Sequence, residues 1–404
     1  MVDFRPFRAW RPRTHLAAEV AAVPYDVVDT AEARALASGK PRSLLHVTRP
    51  DIDLPDGASL YSDAAYASAQ RAFAALLDDG TLAQDTDPGF YVYAQQMGDH
   101  RQVGVVGVAA AADYRAGHIK KHEHTRPTKE DDRKRHIEAV RAHLGPVFTA
   151  FRPRSDLAAL IAQISAGAPE VSVRGHDEVL HSVWPVFEPV MVAALQRAFE
   201  TVPDLYIADG HHRAAAAARV AEGAPPSDPR ARFLAVAFPA DALRILPYNR
   251  VVADLGGRRA ADLLAALEAS FQIEPLTEAV PPEGPRVFTM CLCGTWHRLT
   301  LKPGAAPSAA DPVARLDVSV LQSLVLGPLL GIGDPRTDER IDFVGGIRGL
   351  GELTRRAGAT GVAFALYPTS LDDLMAIADA GEVMPPKSTW FEPKLRSGLV
   401  ISRF

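Results

Sequence analysis

Leu205-Tyr206-Ile207-Ala208-Asp209-Gly210-His211-His212-Arg213, followed by five alanines from Ala214 to Ala218, reads as a short apolar strand entering a helix through a glycine turn. A helix N-terminus exposes unpaired N–H groups and partial positive charge, so it attracts anions, phosphate above all. Gly210 permits close backbone approach to a ligand. Arg213 can fork onto phosphate oxygens, and His211 and His212 can donate hydrogen bonds or transfer protons. Asp209 can orient a metal ion or accept a proton. An N-capping aspartate beside packed imidazoles is the plain alternative; two adjacent histidines before an arginine favour the functional reading.

Outward from this turn, helices and strands interleave along the whole chain, which predicts an α/β (mixed α+β) fold. Gly89–Gln95 and Arg101–Val108 form a hairpin about Gly98-Asp99. Tyr61–Leu77 is helical up to Asp79-Gly80. Thr30 caps a helix starting at Ala31. Thr128 and Asp131 have the spacing of a capping box, opening a helix that stops near Gly145-Pro146. A further helix is expected over Val186–Phe199, and a strand over Arg232–Phe238. Residues 251–404 add a hairpin (Val287–Cys293 with His297–Lys302), helices near Ala260–Ser270, Ser319–Leu326 and Leu371–Ala380, and strands Ile341–Val344, Gly361–Leu366 and Leu399–Arg403. The expected division is 1–250, an N-terminal α/β region, and 251–404, a C-terminal α/β region that contributes a Pro-Lys-Ser-Thr loop.

The 404 residues are 47% apolar and 23% charged, a balance that folds without disulfides or a structural metal. A net charge of −5 argues against nucleic acid as a partner. No run of 18 apolar residues occurs, which argues against a membrane span. Cys291 and Cys293 would share one strand face, too close along the chain for a good disulfide. These features together predict a cytoplasmic protein.

Two further stretches carry candidate chemistry. In Lys121-His122-Glu123-His124-Thr125, the imidazoles of His122 and His124 would share one face of an extended segment, as metal ligands do, with Glu123 opposite as a general base. A solvated charged helix entry is the plain alternative. In Met384-Pro385-Pro386-Lys387-Ser388-Thr389, a turn offers an ammonium and two hydroxyls to phosphate, with a proline-rich surface turn as the plain alternative. The glycines of a P-loop are missing, so a Walker site is not expected.

Taken together, Val23-Pro24-Tyr25-Asp26-Val27, Lys121-His122-Glu123-His124-Thr125 with Asp132-Arg133, Ala208 to Arg213, and Pro385 to Thr389 leading to Pro393-Lys394-Leu395 resemble a widespread bacterial and archaeal family of unknown function. Asp-Gly-His-His-Arg also resembles the phosphate-binding helix start of the ParB/sulfiredoxin-like superfamily, most closely its free serine kinases. The resemblance implies a ParB/sulfiredoxin-like core and an enzyme that phosphorylates free L-serine to O-phosphoserine. The implied cofactor is Mg²⁺, with ADP, ATP or pyrophosphate as donor. His211 stands where sulfiredoxin has cysteine, so sulfinic acid repair is not implied. It assigns Asp209, Glu123 and His212 to catalysis, Asp209 and Glu123 also to Mg²⁺. Gly210, His211, Arg213, Lys121, His124, Thr125, Arg133, Tyr25, Asp26, Lys387, Ser388 and Thr389 fall to phosphate and substrate. Asn249 departs from relatives, which often carry histidine there. Rival readings are a metal-dependent phosphohydrolase or nuclease using His122, Glu123, His124 and Asp209, and a non-catalytic nucleotide switch like CTP-binding ParB proteins. The partners are then serine or a similar small molecule and a phosphate donor, with a homo-oligomer left open.

Overall fold

The computed structural model describes residues 1–404. It forms two compact units, Met1–Leu243 with Pro393–Phe404, and Arg244–Glu392. The last twelve residues therefore belong with the first unit, whereas a single cut after residue 250 would leave them in the second.

In chain order the first unit contains β1 (Phe4–Arg5), α1 (Thr30–Ala37), α2 (Asp63–Asp78), β2 (Phe90–Met97), β3 (His100–Ala110), β4 (Ile119–Lys120), α3 (Pro127–Val140) and β5 (Val147–Phe151). Next come α4 (Ser155–Ser165), β6 (Val171–Arg174), β7 (Leu180–Val186), α5 (Pro189–Phe199), β8 (Leu205–Asp209), α6 (His211–Val220) and β9 (Arg232–Pro239). The nine strands make one mixed sheet in the order β4-β8-β5-β9-β3-β2-β7-β6, with β1 also paired to β3. β8 is parallel to β4 and β9 to β5, and the other pairings are antiparallel. The β2–β3 hairpin turns at Gly98-Asp99 as expected, with Gly98 at φ +57 and Met97 facing His100.

Local capping chemistry shifts several expected boundaries. Thr30 is the first residue of α1, and its cap is Asp29, whose carboxylate accepts from the Glu32 N–H while Glu32 reaches back to the Asp29 N–H. α3 opens one residue before Thr128, at Pro127, whose missing N–H costs nothing in a first turn. It ends at Val140, where Arg141 turns left-handed at φ +53, well short of Gly145-Pro146. The helix expected from Val186 starts at Pro189, capped by Glu188. Val186 instead closes the strand Leu180–Val186, where Pro185 is tolerated because β6 pairs with only Leu180–Val183.

The core of this unit collects Phe4, Phe90, Phe151 and Phe199, all fully buried, with Phe4 and Phe199 ring centroids 4.6 Å apart. The alanines of α6 are buried too, and their small side chains let the helix lie close to its neighbours; Ile137 of α3 packs on Ala216 and Val220. That packing seats the first turn of α6 at the end of β8.

The second unit is an antiparallel six-stranded sheet. Its strands β10 (Tyr248–Val252), β11 (Phe271–Leu276), β12 (Val287–Leu292), β13 (Thr295–Leu301), β14 (Ile341–Gly345) and β15 (Val362–Ala365) run in the order β11-β13-β12-β15-β10-β14. Helices α7 (Ala260–Leu267), α8 (Gly349–Ala357) and α9 (Leu371–Asp379) accompany it. Cys291 and Cys293 are both free thiols. Asn249 is buried in β10, where its side-chain oxygen accepts from the Leu366 N–H at 3.1 Å. No helix is long and apolar enough to cross a membrane.

Candidate functional site

Gly210 caps α6 at φ +90, a conformation that ordinary side chains resist, and no side chain caps the helix start. An added Cβ there would lie 2.9 Å from Cζ and Nε of Arg213. The arginine thus folds back over the turn: it donates to the Pro146 carbonyl and brings Nη2 to 3.7 Å from Asp209 Oδ2. Lys394 Nζ approaches the same Asp209 oxygen at 3.5 Å, from the segment that returns after the second unit. Burial by itself raises the carboxyl pKa, but the Lys394 and Arg213 charges outweigh it and hold Asp209 at about 2.

His211 is buried, with Nδ1 at 3.9 Å from Glu123 Oε2 and Nε2 without a hydrogen-bond partner. Its ring stands edge to face against His122, 4.5 Å between centroids and at 90°. Burial is the main force pushing the His211 pKa well below 6.5; His122, similarly buried and hydrogen-bonded to the Ile207 backbone, falls to about 4. Both imidazoles are therefore neutral near pH 7. His212 accepts the Arg126 N–H on Nε2 at 3.1 Å, which places its own proton on Nδ1. Burial lowers its pKa as well, opposed by the nearby Asp26 carboxylate.

The structure brings Glu123, Asp209, Gly210, His211, His212, Arg213 and Asp26 together, and it gives other expected site residues different work. Lys121 is exposed, its ammonium 4.8 Å from the centre of the Tyr114 ring. His122 and His124 do not share a face: the segment is irregular, the first imidazole buried and the second exposed. Thr125 donates its hydroxyl to the Glu130 carboxylate. Arg133 is buried on α3, paired with Asp132 at 2.6 Å and laid over the Tyr25 ring at 4.0 Å, so its charge is already compensated. With Arg213, His143 and Ser397, Arg133 and Tyr25 line a cavity of about 50 Å³. Lys387, Ser388 and Thr389 lie in the second unit. There Lys387 sits at φ +56 over the Tyr248 ring, and the buried Ser388 donates its hydroxyl to the Pro385 carbonyl. Nowhere do three or more His, Cys, Asp or Glu gather as a metal cluster would require, so His122, Glu123, His124 and Asp209 do not form one.

Lys394 was not among the expected site residues. The only trace in the sequence is its place in the Pro393-Lys394-Leu395 match, and nothing in local pattern pairs it with an aspartate 185 positions earlier.

Residues 4–319 match the family described as "Protein of unknown function (DUF1015)", and the chain belongs to that family. No curated protein matches the chain. Solved structures similar to it include SbnI with C-terminal truncation from Staphylococcus aureus, at 13% identity, covering 72% of this chain and 85% of that one, with a TM-score of 0.38. A free serine kinase in complex with AMP covers 72% of this chain and 90% of its own, at 13% identity and a TM-score of 0.36. A conserved hypothetical protein from Pyrococcus furiosus covers 72% and 92%, at 14% identity and a TM-score of 0.34.

Proposed function

We propose that this chain is a small-molecule phosphotransferase acting on a hydroxyl, with free L-serine as acceptor and ADP, ATP or pyrophosphate as donor. One observation carries the reading: a helix start opened by left-handed Gly210 stands beside an ionised Asp209, two neutral imidazoles and the cations Arg213 and Lys394. Phosphoryl transfer asks chiefly for positioning and charge compensation, and this set supplies both. The choice of serine rests on the motif resemblance.

In this reading the α6 N–H groups and the Nδ1–H of His212 hold phosphate oxygens, and the buried Nε2 of His211 awaits a polar partner from the ligand. A carboxyl held at about 2 is a weak base, which suits Asp209 to an orienting role and leaves proton acceptance to the half-exposed Glu123. The serine oxygen bonds to phosphorus as its proton passes to Glu123. The bond from phosphorus to the donor's bridging oxygen breaks, releasing AMP, ADP or phosphate. Mg²⁺ needs only one or two carboxylates beside donor phosphates, and Asp209 and Glu123 fit that modest demand. When bound, it neutralises charge on the phosphate oxygens.

Purified protein with Mg²⁺ and serine is expected to form O-phosphoserine with at least one of ADP, ATP and pyrophosphate, followed by mass spectrometry. Absence of product with all three donors would dismiss the activity.

A further inference from the structure

Gln95 and Gln102 face each other across the β2–β3 hairpin, fully buried among the apolar residues of a central sheet. Burying two amides is costly unless each finds partners, so their hydrogen bonds show what they are for. Gln102 takes a hydrogen bond to His100 on its oxygen, 3.2 Å away, and donates its amide to Gln95 Oε1 at 2.8 Å. That contact fixes which way the Gln95 amide points. Its NH₂ then donates to the carbonyls of Pro393, at 3.3 Å, and Lys394, at 2.8 Å.

Two residues further along the returning segment, β2 supplies a second tether. Tyr93 of β2 accepts the Arg396 N–H on its hydroxyl at 3.2 Å, and the same hydroxyl lies 2.6 Å from His181 Nδ1 of β7. Gln95, Gln102, Tyr93 and His181 are all buried, and Gln95 and Tyr93 bond to backbone at and beside Lys394. The polar strip thus holds main chain on both sides of one lysine, whose ammonium ends at Asp209.

We propose that Gln95 is a positioning residue, the centre of a buried clamp that sets the Lys394 ammonium at the mouth of α6, and that Lys394 is the cation that meets the incoming phosphate. The second half rests on the phosphotransferase reading; the first half does not. In mechanism, Gln95 acts only through the lysine. A hydrocarbon in its place keeps the volume and loses both bonds to the returning segment.

Two measurements on the full chain separate the halves. The first uses no ligand: amine modification of Lys394 is timed by peptide mass spectrometry in wild type and in Gln95→Leu, with the exposed Lys121 as internal standard. Release of the clamp should speed modification of Lys394 at least fivefold while Lys121 stays constant. An unchanged Lys394 rate in a folded Gln95→Leu protein overturns the clamp. Gln95→Glu serves as the second variant should the leucine form fail to fold, with the same criterion.

The second is calorimetry with inorganic pyrophosphate. Lys394→Met should weaken binding at least tenfold, and Lys394→Arg should recover most of it, a charge dependence that a packing role would not show. Equal affinity in wild type and Lys394→Met overturns the phosphate role. If wild type takes none of pyrophosphate, ADP and ATP in the same titration, the phosphotransferase reading and the Lys394 role fall together, while the modification rates still decide the clamp; if it takes only a nucleotide, that nucleotide replaces pyrophosphate and the Lys394→Met criterion stands.

Discussion

Gly210→Ala is expected to lower kcat/KM of the phosphotransfer about 100-fold while the protein stays folded. The methyl group meets two obstacles. At φ +90 a non-glycine residue is strained by about 1–2 kcal/mol, and the new carbon falls 2.9 Å from the Arg213 guanidinium. Arg213 is the softer of the two and must move. Its displacement breaks the bond to the Pro146 carbonyl and withdraws one of the cations that keep Asp209 ionised. The checks are steady-state kinetics and a denaturant titration. A variant with near-wild-type kcat/KM would show that the turn only connects β8 to α6.

Acid should undo the first unit at a pH where most proteins of this kind are still stable. His122 and His143 are pushed down by burial to about 4, and His136 and His181 to about 3. Each has a folded pKa below its unfolded value near 6.5, so between those values the unfolded chain binds more protons than the folded one. Their neutral forms therefore permit full stability above about pH 6.5, and that stability is lost as the pH falls towards the folded values. From pH 6.5 to pH 5 the loss is about 2 kcal/mol per imidazole. Four such losses rival the roughly 5–15 kcal/mol that holds a domain together. Thermal melts across pH 7 to 4.5 should show a steep fall in Tm starting near pH 6; a flat profile down to pH 5 would refute the burial of these rings as neutral groups.

How far the sequence could be read depends on the range of the interaction involved. The strand–glycine–helix passage at 205–220 and the Gly98-Asp99 hairpin are local events, written in apolar spacing and turn residues, and both stand as expected. Cap positions are local too, but several residues compete for each: Asp29 outbids Thr30 because Glu32 completes a reciprocal pair, and Pro127 takes the first helical position ahead of Thr128. The strand Leu180–Val186 is hidden by Pro185, acceptable only because a neighbouring strand is short. Side-chain direction in irregular chain is harder still. Two-residue spacing puts His122 and His124 on one face only if the segment is extended, and it is not. Arg133 has the composition of an anion ligand, yet the helix turns it inward onto Asp132 and Tyr25. Lys394 and the glutamines that hold it are legible only once the sheet order is known.

The placement of Arg244–Glu392 inside the first unit's chain has an energetic consequence. Arg244–Leu246 pairs antiparallel with Trp390–Glu392, Arg244 directly facing Glu392, so the inserted unit ties its own two ends together. While that ribbon is intact, the returning segment bearing Lys394 is tethered as though by a linker of a few residues. Were it to melt, the tether would become a loop of some 149 residues, counted from 244 through 392. Chain statistics put the added entropy of closing such a loop at about 3 kcal/mol. Destabilising the insert should therefore loosen residues 393–404 first, which amide hydrogen exchange in that segment would reveal.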